Sequence, residues 1–306
     1  MKLATLLPRK RWRPSGRHAI IGLPFVWLLL MTAIPCLIIL QFSVSQMEIA
    51  SIGKPWRYVD GVFALQLDFS KYLFLFSDPL YLATYLSSLK YAALNTLLCL
   101  VIGYPFAYFM ARSPAQLRPV LLMAVMLPFW TSFLLRIYAW KGLLAGNGVI
   151  NNLLVASGLV EQPLHLLHTP FSLSLGMLYT YLPFMILPLY AILQKMDLRL
   201  LEAAADLGAS PWQAFWLVTV PLSRNGIVAG SLLVFIPSLG EYVIPELLGG
   251  PATLMIGRVL WDEFFGNNDW PMASAVASLM IVMILVPLAV FNKYQSAEAA
   301  GTAGRR

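Results

Sequence analysis

The residues of this sequence best suited to chemistry are carboxylates that stand beside aromatic side chains. Glu241 is followed by Tyr242 within an apolar run, and a second mixed group lies between residues 261 and 270. The second group contains Trp261, Asp262, Glu263 and Asp269. A carboxylate supplies charge and a ring face adds about 0.5–2 kcal/mol of cation–π attraction, so the combination suits an organic cation. The same pattern also arises when topology keeps acids on one side of a membrane and Trp prefers the interface.

Glu241 requires a functional explanation because its surroundings are apolar. If the run begins near Arg224–Gly226, a helical rise of about 1.5 Å per residue places Glu241 about 22 Å above the inner edge of the bilayer. An ionisable group at that depth costs a few kcal/mol unless it faces a pathway or a partner. Two interpretations stay open: Glu241 lies on a cation path, with Lys90 as its resting partner, or it locks its helix to a neighbour.

Sequence motifs for catalysis and for cofactor binding are absent. The chain has no GxxxxGK[ST] phosphate loop, and no HExxH, GxSxG or paired CxxC pattern. Cys36 and Cys99 lie in different apolar runs and show no metal-binding spacing. The sequence therefore predicts a protein that is not an enzyme, with no catalytic residue, no metal and no cofactor of its own.

The elements that must position these residues are long apolar helices. Hydrophobic residues make up 59% of the 306 residues and charged residues 11%, far below the roughly 25% charged of a soluble domain. Runs of about 20 apolar residues span a bilayer. Six such runs cover about 19–42, 83–111, 118–140, 171–193, 218–244 and 272–292. The predicted fold class is an all-α, polytopic membrane bundle of six transmembrane helices.

Charge distribution predicts the orientation of the bundle. With both termini inside, 14 of the 21 Lys and Arg residues face inward and five face outward. Cytoplasmic loops of membrane proteins carry such an excess. The net charge of +7 is thus a topology signal, and binding to nucleic acid is not expected.

A polar segment, residues 198–222, interrupts the apolar runs. Asp197 is suited to cap a short helix over 198–207, and Gly208 is suited to end it. Ser210, Pro211 and Gln213 then have the order of a capping box that starts another helix. The segment is expected to form a helix, a sharp turn and a new helix that enters the membrane. An amphipathic helix lying on the bilayer is the alternative.

This segment resembles the EAA motif of the inner-membrane permease subunits of bacterial ABC importers. The resemblance is carried by Glu202, Ala203 and Ala204, then Gly208, then Val220-Pro221-Leu222. In that family the motif forms the coupling helix that docks on the ATPase. The resemblance thus implies an ATPase-coupling role for Glu202, Ala203, Ala204 and Gly208, within a loop of about 195–215.

Residues 237–250, together with 255–259 and 269–271, are similar to the polyamine branch of this family, and most of all to putrescine-type permeases. The resemblance implies a type I importer fold over 19–292, with a basic cytoplasmic N-terminus (1–18) and a cytoplasmic tail (293–306). It further implies a second homologous permease subunit, an ATPase subunit dimer that holds ATP and Mg, and a periplasmic polyamine-binding protein, all at the bacterial inner membrane with its lipid.

The function that the sequence predicts is ATP-driven import of putrescine, spermidine or both. The substrate pathway would include Glu241 and Tyr242, with Trp261, Asp262, Glu263 and Asp269 at its outer vestibule. The alternatives are a permease of another binding-protein-dependent ABC importer, or a stand-alone secondary transporter. A secondary transporter is expected to show an internal repeat and an ion site near the midplane, and neither is visible in the sequence.

Overall fold

The computed structural model describes residues 16–48, 51–53, 56–59, 62–65 and 67–303, and helices dominate these residues. The helices are α1 (Gly16–Ser43), α2 (Ser70–Ser77), α3 (Pro79–Arg112), α4 (Arg118–Met126), α5 (Phe133–Leu144), α6 (Val149–Ala156), α7 (Pro170–Leu193), α8 (Arg199–Asp206), α9 (Pro211–Ala214), α10 (Val220–Leu222), α11 (Arg224–Leu239), α12 (Val243–Leu247), α13 (Ile256–Trp261) and α14 (Trp270–Ala303). Two antiparallel hairpins follow α1, and they pair β1 (Met47–Glu48) with β2 (Ser51–Ile52) and β3 (Trp56–Val59) with β4 (Val62–Leu65).

Four of the described helices are long and apolar enough to cross a membrane on their own, namely α1, α3, α7 and α14. Two bent pairs bring the number of candidate spans to six. The pairs are Arg118–Trp130 with Phe133–Ala156, bent by 88°, and Pro211–Leu222 with Arg224–Leu239, bent by 66°. The predicted all-α membrane bundle is therefore confirmed.

The third and fifth predicted spans, over 118–140 and 218–244, are each bent in the structure. In the third, Pro128 lies in a 3₁₀ turn that ends at Trp130, and Thr131 is extended, which redirects the chain into α5. In the fifth, helix α11 begins only at Arg224, after a break at Ser223, and it ends at Leu239. Proline favours a kink at Pro128 in the third run, whereas hydropathy alone gives no indication of the break at Ser223 in the fifth.

The core of the bundle is formed by α3, α7 and α11. Gly226 and Gly230 of α11 lie four residues apart against α7. A Cβ atom at Gly226 would lie 3.2 Å from the Pro188 carbonyl oxygen, and one at Gly230 would lie 2.8 Å from Met185 Sδ. Small residues at this spacing let two helix backbones approach closely in a membrane. We call this contact the glycine seam, and it makes α7 and α11 one closely packed pair.

Buried polar side chains form hydrogen bonds between the core helices and to the segments that follow α11. Asn95 Nδ2 of α3 donates to Ser238 Oγ of α11 at 2.9 Å. Ser88 Oγ of α3 accepts from the Ile256 N–H at 2.7 Å, and Ser172 Oγ of α7 donates to the Leu248 carbonyl at 2.7 Å. Each bond satisfies a buried polar group. The first bond joins α3 to α11, and the other two hold α12, α13 and the turn between them against the bundle. We call this unit, residues 240–266, the outer cap.

The two end helices pack together at the periphery, α1 against α14. None of residues 20–42 of α1 is buried. The prediction of a basic N-terminus over 1–18 falls mostly on residues 1–15, outside the described residues. The sixth predicted span ends at 292, whereas α14 continues as a helix to Ala303.

Candidate functional site

The polar segment forms the predicted helix, turn and helix. Helix α8 covers Arg199–Asp206, and Asp197 Oδ1 accepts from the Arg199 N–H at 3.0 Å. Gly208 has φ +83°, the left-handed conformation that glycine adopts most easily. The side chains of Ser210 and Gln213 complete a capping box that starts α9. The predicted turn at Gly208 and the predicted capping box of Ser210 and Gln213 are confirmed. The predicted N-cap at Asp197 is wrong, because the N-cap of α8 is Leu198 and Asp197 stands one position before it.

The surface of this segment is amphipathic, with Arg199, Glu202 and Asp206 exposed beside apolar side chains, and nothing covers it within the described residues. No residue of α8 is buried, and Leu207 is 89% exposed. Glu202 and Ala203 are exposed, and Ala204 is half-buried. A groove of about 400 Å³ lies between α8 and the chain that re-enters the membrane. Its lining consists of Leu200, Ala203, Ala204, Leu207, Leu217, Val218, Pro221 and Leu222. Large exposed apolar patches mark sites of protein interaction.

Glu241 lies at the break between α11 and α12 and is 9% exposed. One carboxylate oxygen accepts a short hydrogen bond from the Tyr181 hydroxyl of α7. The other accepts from the N–H groups of Val243 and Ile244, at 3.2 and 3.4 Å, at the start of α12. The predicted pairing with Lys90 is wrong, because Lys90 is exposed on α3 and lies over the Tyr91 ring at 5.6 Å.

An aromatic stack flanks Glu241 in the outer cap. Tyr242 and Trp261 are stacked, with ring centroids 4.3 Å apart and an interplanar angle of 14°. Phe265 continues the stack at 4.2 Å from Trp261. The structure thus brings Tyr242 and Trp261 together although 19 positions separate them in the sequence.

A charge cluster lies beside the stack. Arg258 Nε is 2.7 Å from Glu246 Oε2 and 4.0 Å from Asp262 Oδ2. Asp262 is mostly exposed, with 59% of its side chain accessible. The sequence interpretation gave no role to Arg258 or Glu246, although Arg258 and Asp262 stand four residues apart, a spacing that favours ion pairs on a helix.

Glu263 and Asp269 make different contacts from those of Asp262. Glu263 accepts from the Tyr81 hydroxyl of α3 at 2.5 Å and from Asn267 Nδ2 at 2.9 Å. Asp269 Oδ1 accepts from the Met272 N–H at 2.9 Å, where it caps α14. Both carboxylates border the predicted vestibule and each also has a structural partner. Tyr181, the main partner of Glu241, had no signal in the sequence, because it lies 60 positions away on another helix.

No group of three or more His, Cys, Asp or Glu residues that could hold a metal ion occurs within the residues that the structure describes. The arrangement offers a buried carboxylate, exposed carboxylates and stacked rings. Such a set can bind and desolvate a cation.

Comparison with known proteins identifies the family. The family model described as "Binding-protein-dependent transport system inner membrane component" matches residues 100–295. The spermidine/putrescine transport system permease protein PotB of Haemophilus influenzae is 38% identical over 276 residues, which are 90% of this chain and 92% of the relative. PotB of Escherichia coli K12 is 41% identical over 263 residues, 86% and 92% of the two chains. The predicted resemblance to the polyamine branch is confirmed.

Solved structures agree on the fold. A chain of a bacterial ABC transporter involved in the import of the acidic polysaccharide alginate matches with a TM-score of 0.67 at 20% identity, covering 94% of this chain and 98% of its own. This likeness confirms the predicted importer permease fold. The protein is therefore a multi-pass inner-membrane permease subunit and not itself an enzyme, and it belongs to the family of inner-membrane components of binding-protein-dependent transport systems.

Proposed function

We propose that this permease subunit carries polyamines, putrescine or spermidine or both, from the periplasm to the cytoplasm. The relatives at 38% and 41% identity are named for these substrates. The observation that carries the proposal is the buried carboxylate of Glu241 next to the Tyr242–Trp261 stack. An organic cation that sheds its water needs fixed negative charge in a medium of low dielectric constant.

The outer cap is the expected point of entry. Residues 240–266 carry four acids and one basic residue, Arg258, which pairs with Glu246 and Asp262, so negative charge exceeds positive charge there. Such an excess raises the local concentration of a cation and its rate of arrival. The exposed ring faces of the stack would then hold the alkylammonium groups before they reach Glu241.

Energy for transport is proposed to come from ATP, hydrolysed with Mg on a separate ATPase subunit dimer. The uncovered surface of α8 and its apolar groove support a docking role for Glu202, Ala203, Ala204 and Gly208. A second homologous permease subunit would complete the pathway, and a periplasmic polyamine-binding protein would deliver the substrate to the outer cap.

Uptake by the complete transporter in sealed vesicles tests this proposal. Vesicles with internal ATP and external binding protein should accumulate labelled putrescine or spermidine, and a non-hydrolysable ATP analogue should not support uptake. Excess unlabelled polyamine should compete, whereas amino acids and sugars should not. Competition by another solute class would indicate a different binding-protein-dependent importer, and uptake driven by a proton gradient without ATP would indicate a secondary transporter.

The proposed orientation has both termini and α8 in the cytoplasm. Single cysteines introduced as Ser210→Cys and Asn268→Cys, in a chain without Cys36 and Cys99, would report it. A membrane-impermeant thiol reagent added outside intact cells should label the cysteine at 268 and not the one at 210. The reverse pattern would overturn the orientation.

A further inference from the structure

The fifth membrane segment has a hinge at Ser223. The axes of the helices on its two sides differ by 66°, and Ser223 is fully buried. Ser223 Oγ donates to the Val220 carbonyl at 3.1 Å and lies 2.7 Å from the Tyr104 hydroxyl of α3. Because a serine hydroxyl has one hydrogen, which Val220 receives, Tyr104 must be the donor of the second bond.

The same tyrosine ring also contacts the chain before the hinge. Phe215 lies in a π-helical turn, Phe215–Thr219, that leads from the coupling segment into the membrane. Its ring centroid is 5.5 Å from that of Tyr104 and 5.8 Å from that of Tyr108, with an edge-to-face angle of 87° in both cases. Tyr104 and Tyr108 stand four residues apart and so share one face of α3. Tyr104 therefore connects α3 both to the hinge residue and to the segment before it.

Two features indicate that the segment before the hinge has a second arrangement. A π-helical turn is rare and is often found at functional sites. The Thr219 hydroxyl, which belongs to this turn, is buried and has no hydrogen-bond partner within the described residues. Buried hydroxyls are normally bonded, so a change of this turn that gave Thr219 a partner would be favourable.

On the membrane side of the hinge, α11 packs closely against α7. The glycine seam fixes the two helices near the hinge, and the bond from Tyr181 to Glu241 fixes them near the outer cap. A change of angle at Ser223 is therefore transmitted along α11 to Glu241 and is not absorbed between the two helices.

We propose that Tyr104 is a positioning residue of the transport cycle, whose hydrogen bond to Ser223 sets the angle between the coupling segment and the helix that leads to Glu241. The inference rests on the proposed coupling role of α8. The hydrogen bond from Tyr104 to Ser223 stabilises one angle between the coupling segment and α11. When the ATPase moves the coupling segment, this angle changes and the hydrogen bond opposes the change. Tyr104 touches no substrate, and it acts through Ser223.

Conservative substitutions separate this role from simple packing. Tyr104→Phe removes the hydroxyl and keeps the ring against Phe215. Tyr108→Phe is the matched control, because its ring has the same edge-to-face contact and the structure gives its hydroxyl no hydrogen-bond partner among the described residues. In the complete transporter, we expect Tyr104→Phe to lower the ratio of substrate transported to ATP hydrolysed by roughly three- to tenfold, the effect of losing one buried hydrogen bond. Tyr108→Phe should leave the ratio unchanged.

Ser223→Ala removes the acceptor and provides an independent variant. If both residues act through one bond, the double variant should show the same ratio as either single variant, because the effects of partners in one interaction do not add. Yield of the assembled complex is measured in parallel. A wild-type ratio in Tyr104→Phe and Ser223→Ala, or an equal loss in Tyr108→Phe, would overturn the inference. If wild-type vesicles show no ATP-dependent uptake, the proposed function itself fails.

Discussion

The hydroxyl of Tyr181 donates a hydrogen bond to the carboxylate of Glu241 and so joins α7 to the break that follows α11. With the two N–H groups at the start of α12, Glu241 has donors on both of its oxygens. The carboxylate is thus fully engaged in this structure. A cation that reaches Glu241 must share the carboxylate with Tyr181 or displace the tyrosine hydroxyl. The contact between Tyr181 and Glu241 can therefore be used to test whether Glu241 lies on the cation path or locks its helix to a neighbour.

Replacing Glu241 by Gln should separate a role in the pathway from a role as a lock. Gln keeps the size and its oxygen can accept from Tyr181, but its NH2 group cannot accept from the N–H groups at the start of α12 and it has no charge for a cation. We expect uptake to fall by roughly tenfold or more, a change of about 1.4 kcal/mol, with normal yield of the complex. Asp262→Asn in the exposed outer cap should have a weaker effect.

Uptake and yield are measured on the same preparation. If Glu241→Gln transports at the wild-type rate, Glu241 has no role in the pathway. If Glu241→Gln and Tyr181→Phe both lower the yield of the assembled transporter, the hydrogen bond between Tyr181 and Glu241 serves to lock α7 to α11.

Gly208→Val should abolish uptake at normal abundance of the protein in the membrane. Gly208 has φ +83°, and a Cβ atom there would meet nothing within 4 Å, so the cost comes from the backbone and not from a clash. A β-branched residue is strongly disfavoured at positive φ, whereas Asn tolerates it. Gly208→Asn should therefore retain most of the uptake. Equal uptake by the Val and Asn variants would argue against a coupling role for this turn.

Gly230→Leu should destabilise the bundle through the glycine seam. Its Cβ atom alone would lie 2.8 Å from Met185 Sδ and 3.2 Å from the Met185 carbonyl oxygen. Overpacking of this kind costs about 1–3 kcal/mol, and we expect a lower Tm of the purified permease together with reduced abundance. Gly142→Leu is the control, because a Cβ atom there meets nothing within 4 Å. Equal Tm values for the two variants would contradict close packing of α7 and α11.

The contribution of Asp68 to stability should depend on pH. Hydrogen bonds from the side chain and backbone of Ser70, with the nearby charge of Lys71, lower the pKa of Asp68 from 3.8 to about 2. Since folding lowers this pKa, the stabilisation is fully present above pH 3.8 and is lost as the pH falls through about 2. The Tm advantage of the wild type over Asp68→Asn should therefore be constant from neutral pH down to about pH 5 and should shrink below pH 4. An advantage that instead grew on acidification would refute the assignment.

Local chemistry made the coupling segment predictable from the sequence. A capping box needs two side chains three positions apart, and a left-handed turn needs a glycine, so Ser210, Gln213 and Gly208 carried the information themselves. The length and composition of the apolar runs likewise predicted a membrane protein built of helices. These signals depend on neighbouring residues and not on the rest of the fold.

The contacts between distant helices could not be predicted in this way. Tyr181 is one of many tyrosines in apolar runs, and its bond to Glu241 depends on how α7 and α11 pack. The bond between Tyr104 and Ser223 depends equally on how α3 packs against the fifth segment. Lys90 was a reasonable partner for Glu241 by charge alone, but it points away from the core. Charge complementarity without geometry led to the wrong pair.

The contact between α1 and α14 has a consequence for how the protein is made. Since α1 precedes α14 in the chain, the ribosome delivers α1 to the membrane before α14, and α1 must wait in lipid until α14 has been inserted. None of residues 20–42 of α1 is buried in the folded chain. The side chains of α1 that face lipid before α14 arrives therefore stay largely accessible in the final structure. Closure of α1 against α14 is therefore a late step of biogenesis.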